Sequence, residues 1–167
     1  MKLRNRWIAL CLVGIFAGVM PAWAGMEIGK PLPNLAEFNQ KNHLPDQAGR
    51  VVLVDFWATW CAPCRASFHA YDDLQREFGA RGLTIVGVSV DQDEDQYSKF
   101  IQRFAPAFTT VCDSAQQLVS AVRPSVMPTC YLIDRHGLVQ VVHSGFYGKP
   151  TVRELRDEIS KLLEEKP

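Results

Sequence analysis

Two cysteines three residues apart, Cys61 and Cys64, stand just past the apolar run Val51-Val52-Leu53-Val54-Asp55-Phe56-Trp57, and this junction restricts fold and chemistry more than any other feature. A short β-branched and aromatic run, apolar on both faces, is a buried strand. A helix has to begin soon after it, because Ala62 to Phe78 carries Phe68, Tyr71, Leu74 and Phe78 at intervals of three and four before Gly79 and Gly82. The cysteines straddle the change. At separation i, i+3 on a first turn, the first sulfur projects beyond the helix end and the second lies one turn below, within reach of a disulfide. Cys61 would also meet unpaired backbone N–H groups and the positive end of the helix dipole, both of which favour a thiolate. Pro63 suits a first turn, where few N–H donors are needed. The pattern implies dithiol–disulfide chemistry.

The N-terminus implies a compartment. Lys2, Arg4 and Arg6 precede an uncharged run from Ile8 to Met20, and Ala22-Trp23-Ala24 has the small-x-small form of a signal-peptidase site. Residues 1–24 are therefore expected to be a cleaved signal peptide and 25–167 one domain. A retained anchor is the competing reading, since Trp7 to Ala24 is apolar for 18 residues, at the lower limit of the roughly 17 to 25 that a span needs. Without the three basic residues of the leader, 15 basic side chains face 18 acidic ones, a formal net charge of −3. That balance excludes a nucleic-acid binder. Four cysteines stay in the mature chain, Cys61, Cys64, Cys112 and Cys130, too sparse for a disulfide-stapled scaffold. The fold must rest on its apolar core.

Downstream the pattern alternates. Gly29 to Pro33 reads as extended, Leu83 to Val90 as a second buried strand, and Asp91 to Asp95 as a solvated acidic loop opening a helix with Tyr97, Phe100, Ile101 and Phe104 that stops before Pro106. Phe108 to Cys112 reads as a short strand, and Ser114 to Val122 as a helix capped by Ser114 or Asp113. Thr129 to Ile133 and Leu138 to His143 form a hairpin around Asp134-Arg135-His136-Gly137, and Thr151 to Leu163 is a final amphipathic helix. Strands alternating with helices, then a hairpin and a helix, describe a mixed three-layer α/β domain.

Val-Asp-Phe-Trp-Ala-x-Trp-Cys-x-Pro-Cys at 54–64 resembles the thioredoxin active-site stretch. Gly-Lys-x-x-Pro at 29–33, Val-Gly-Val-Ser-Val-Asp at 86–91, Pro-Thr-x-x-Leu-Ile-Asp at 128–134 and the extra helix and strand between Asp91 and Cys112 resemble the TlpA/ResA branch of secreted bacterial thioredoxin-like proteins. The resemblance implies an α/β, three-layer thioredoxin-like fold with a central mixed sheet and an added helix–strand insertion. It implies Cys61 as an exposed attacking thiolate, Cys64 as the shielded resolving thiol, and Asp55 as a buried carboxylate relaying the Cys64 proton. Pro128 corresponds to the cis proline beside the disulfide, with Met127 offering backbone groups to a substrate strand. Trp60, Ala62 and Pro63 would border that substrate surface, and Trp57 would be core. A periplasmic monomer acting on disulfides of exported proteins, of the apocytochrome c or oxidase-assembly type, and kept reduced by a membrane donor of the DsbD type, is the implied setting.

Other chemistries fit less well. Zinc needs four ligands, and Cys112 and Cys130 are distant, with no second CxxC and no His-x-x-x-His; no metal and no cofactor is expected. If Cys112 lies on an edge strand several strands from Cys130, roughly 4.8 Å per strand takes the pair beyond the ~7 Å Cα reach of a disulfide. Both are expected as separate thiols. His43, His69, His136 and His143 show no ligand spacing. A redox-inactive metallochaperone of this fold would carry CxxxC and a partner histidine, and a thiol peroxidase, suggested by 86–91, would carry Pro-x-x-x-Thr/Ser-x-x-Cys, absent before both cysteines. Pro63, Asp55 and the lack of a histidine between the cysteines favour a reductase over an oxidant.

Overall fold

The computed structural model describes residues 26–35, 44 and 47–165, so the expected signal peptide, residues 1–24, and His43 lie outside the described residues. In chain order the elements are β1 (Val51–Trp57), α1 (Ala62–Phe78), a 3-10 turn (Gly79–Arg81), β2 (Leu83–Ser89), α2 (Glu94–Phe104), β3 (Thr109–Cys112), α3 (Gln117–Val122), β4 (Thr129–Ile133), β5 (Val139–Ser144) and α4 (Lys149–Glu164). The sheet runs β3-β2-β1-β4-β5. β1, β2 and β3 are parallel, and β4 and β5 are antiparallel to their neighbours. Among the described residues no helix is long and apolar enough to cross a membrane.

The order follows from handedness. Two successive right-handed crossovers that step the same way along a sheet leave both helices on one face, and the ring contacts agree. Trp57 of β1 meets Phe68 of α1 at 4.5 Å and Phe100 of α2 at 5.1 Å, while Phe68 meets Phe104 at 5.0 Å and Phe108 at 5.1 Å. Side chains alternate along a strand, so Asp55 points to the same face as Trp57. All seven residues of β1 are buried, so its opposite face is covered as well.

Gly87 of β2, paired with Asp55, makes room for this aromatic layer. A Cβ there would lie 3.1 Å from both the Trp57 indole nitrogen and the Phe108 ring.

Three expectations need correction. The helix read from Ser114 begins only at Gln117, because Gln116 takes the left-handed region at φ 58°. The Asp113 carboxylate still accepts the N–H groups of Gln117 and Val119, from farther upstream than an ordinary cap. Asp91 is not solvated: it is 4% exposed at the end of β2. The exposure expected at Cys61 is also not seen in the disulfide form, where the residue is 6% exposed.

Candidate active site

Cys61 is the N-cap of α1, in extended conformation, and is joined by a disulfide to Cys64 across a Cα separation of 5.3 Å. Its sulfur accepts the Cys64 N–H at 3.3 Å, so a helix-end donor points at this atom. Cys64 is fully buried, and Ala62 and Pro63 are exposed between the two. Trp60 stands 65% exposed beside them.

The loop from β1 into α1 is held by a carboxylate that the sequence reading assigned to solvent. Asp91 accepts the Thr59 N–H at 2.9 Å, the Thr59 hydroxyl at 2.8 Å and the Ser89 hydroxyl at 2.6 Å. β1 and β2 are parallel, so both strands end at one edge of the sheet, where the loops after parallel strands shape a crevice. The Ser89-x-Asp91 spacing was the available signal. A charge two residues past a buried strand can turn back on that strand's hydroxyl.

Pro128 comes to the same edge through a different pairing. β4 is antiparallel to β1 with Asp55 opposite Cys130 and Phe56 opposite Thr129, so one further step in register sets Pro128 beside Trp57. The Met127–Pro128 bond is cis. The Thr129 hydroxyl donates to the Val126 carbonyl at 2.6 Å and the Gly145 N–H to the Pro128 carbonyl at 2.7 Å, which tie down both sides of the proline. Trp60, Val126 and Met127 line a groove of about 560 Å³, and Asp91, Asp93 and Gln96 lie among its polar lining. The groove thus collects Trp60 and Met127, while Ala62 and Pro63 stand on the helix end.

Asp55 is completely buried. Its Oδ1 accepts the Tyr71 hydroxyl at 3.0 Å and its Oδ2 has no hydrogen-bond partner. Loss of water pushes the carboxyl well above its ordinary range, against the lowering effect of the Tyr71 bond. Burial likewise raises Tyr71, reinforced by Asp55 and Cys130, and raises Cys130, reinforced by Asp55. Tyr71 follows Cys64 by seven residues, two helical turns on the same face of α1, and helical side chains lean back towards the N-terminus. Tyr71 and Cys130 escaped the sequence reading because both are ordinary core residues by pattern.

The remaining candidates lie apart. Cys112 and Cys130 are unpaired thiols on β3 and β4, separated in the sheet by β2 and β1. His143 bonds Glu158 at 2.7 Å between β5 and α4, and His69 lies against Phe104. Among the described residues no cluster of three or more metal-binding side chains occurs.

A helix-capping cysteine disulfide-bonded to a buried cysteine one turn into an amphipathic helix, on a mixed sheet with a cis proline alongside, defines a thiol–disulfide oxidoreductase of thioredoxin-like fold. The chain belongs to the AhpC/TSA family, whose profile matches residues 28–142. It is 30% identical over 143 residues to thiol-disulfide oxidoreductase ResA of Bacillus subtilis (strain 168), covering 83% of this chain and 80% of the relative. ResA of Geobacillus thermodenitrificans (strain NG80-2) is 28% identical over 148 residues, or 87% of this chain and 85% of that one. Among solved structures, one described as a thiol:disulfide interchange protein DsbE from Chlorobium tepidum superposes with a TM-score of 0.73 at 30% identity, covering 83% of this chain and 99% of the other. The enzyme acts on disulfide-containing substrates.

Proposed function

We propose that this oxidoreductase is a periplasmic reductase, released from its leader after Ala24, that reduces disulfides in exported proteins of the apocytochrome c or oxidase-assembly type. The observation that carries the cysteine roles is the position of Cys61 as N-cap, with Cys64 fully buried one turn in. In the reduced enzyme the Cys61 thiolate attacks one sulfur of the substrate disulfide, and the other leaves as a thiolate. Cys64 then loses its proton to the Asp55 carboxylate and attacks Cys61. The Cys61–Cys64 bond forms, the bond from Cys61 to substrate breaks, and the substrate sulfur leaves with the electron pair. Two electrons pass from enzyme to substrate, and a donor of the DsbD type restores the dithiol.

The groove beside Trp60 and Met127 supports substrate docking as an extended segment, whose main chain would pair with the backbone of Met127. The reducing direction is supported by Pro63 and Asp55.

Insulin reduction and peroxide consumption, measured on the full chain and on Cys61→Ser and Cys64→Ser, test the reading. Cys64→Ser is expected to accumulate a mixed disulfide on Cys61, and Cys61→Ser to lose turnover. Turnover that survives Cys61→Ser overturns the assignment, and peroxide consumption faster than insulin reduction favours a peroxidase.

A further inference from the structure

Three buried groups from three elements come together under α1: Asp55 of β1, Cys130 of β4 and Tyr71 of α1 itself. Asp55 and Cys130 are direct neighbours across the β1–β4 ladder, and Tyr71 reaches Asp55 from α1. The Tyr71 hydroxyl donates to Asp55 Oδ1 at 3.0 Å, and the buried Cys130 thiol lies opposite Asp55 in the ladder. A phenol has one proton to give. With that proton on Asp55, the phenol has none to give to the Cys130 thiol, which is buried and keeps its own proton. The tyrosine therefore engages the carboxylate at Oδ1 alone. Oδ2 is equally buried and has no partner.

From this asymmetry we infer that Tyr71 is a positioning residue of the reductive half-reaction, locking Asp55 so that Oδ2 alone receives the proton of Cys64. The inference rests on the reading of Asp55 as the base for Cys64. When Cys64 is deprotonated, the S–H bond breaks and the O–H bond forms at Oδ2. The Cys64 thiolate then displaces the substrate sulfur from Cys61, and Tyr71 keeps its own proton throughout. The hydroxyl also sets the basicity of the carboxylate, because a hydrogen bond to the ionised form favours that form. The other titratable groups near this face are Glu158 of α4 and His143 of β5, which pair with each other at 2.7 Å. Neither is hydrogen-bonded to Asp55, whose one bond is to Tyr71.

The test separates the two thiol steps. Reduced enzyme mixed in a stopped-flow cell with 5,5′-dithiobis(2-nitrobenzoate) releases one nitrothiobenzoate when Cys61 attacks and a second when Cys64 resolves the adduct. The second phase, followed from pH 5 to 10, reports the base. Tyr71→Phe keeps the ring and removes the hydroxyl. Its second phase is expected to show a midpoint raised by about one to two pH units, the worth of a hydrogen bond to a charged group, and a roughly tenfold or greater slowing below the midpoint, with the first phase unchanged. In Asp55→Asn, where the inflection itself should vanish, adding Tyr71→Phe should change the second phase no further. Should Asp55→Asn abolish the inflection while Tyr71→Phe leaves the midpoint in place, this inference falls and the role of Asp55 stands. An inflection that survives Asp55→Asn removes the base assignment and this inference with it. Equal slowing by Tyr71→Phe with and without the carboxylate marks a merely structural tyrosine.

Discussion

Replacing Asp55 by Asn should make the oxidised protein more stable at pH 8 and give no advantage at pH 4. The wild-type carboxyl is completely buried with one hydrogen bond, from Tyr71. An uncompensated buried charge costs about 3–5 kcal/mol, whereas an amide NH₂ left without an acceptor costs about 1–3 kcal/mol. The difference is about 2 kcal/mol in favour of the variant, or about 6 °C in Tm for a domain of this size. The sign with pH follows from linkage. The folded-state pKa of Asp55 lies above its unfolded value, so its contribution to stability is fully present below about pH 4 and is lost as pH rises towards the folded pKa. At pH 4 the wild type recovers what the charge removed, and the variant retains only the cost of its amide. Urea melts of both proteins at the two pH values measure the effect. A gain of equal size at pH 4 and pH 8 would refute the argument from charge, and a loss at pH 8 would show that Oδ2 has a partner the amide cannot replace.

Three more outcomes are expected. Asp91→Ala leaves the Thr59 N–H and hydroxyl and the Ser89 hydroxyl without their acceptor, and should cost about 3 kcal/mol or more, the low end of roughly 1–3 kcal/mol for each of the three groups, since Thr59 is only half-buried; Thr59→Val should cost less than half as much in the same melts. In the reduced protein near neutral pH, iodoacetamide should label Cys61 first, Cys112 slowly because burial and the nearby Glu94 and Asp91 push its thiol up to about 11, and Cys130 hardly at all; peptide mapping that finds Cys64 labelled first reverses the two roles. The Cys61/Cys64 couple, equilibrated with dithiothreitol buffers and read by tryptophan fluorescence, should lie nearer roughly −270 mV than roughly −120 mV, and a value above about −170 mV places the enzyme among oxidants on that scale.

Most of this architecture is readable one element at a time. β1 and α1 are legible because Val51–Trp57 has strand residues on both faces and Phe68, Tyr71, Leu74 and Phe78 repeat at helical spacing. Such patterns depend on neighbours within a few residues. The misreadings have the opposite character. Asp91 looks solvated beside Asp93, Glu94 and Asp95, and only the parallel pairing of β1 with β2 puts Thr59 within its reach. The late start of α3 depends on the backbone of Gln116, whose side chain donates to the Val90 carbonyl at 2.7 Å, a contact made across the fold.

The same division runs through the site. Sequence alone determined the dithiol, because two cysteines at i, i+3 on a helical first turn are brought together by helix geometry whatever surrounds them. It determined also that Asp55 would be buried, since a strand of apolar residues takes its one charged member inside with it. The partners of that carboxylate were decided by tertiary structure. Tyr71 is 16 residues away along the chain and Cys130 reaches Asp55 through the antiparallel β1–β4 register. A polar group out of water is governed by the few atoms that touch it, and which atoms those are depends on how α1 lies across the sheet.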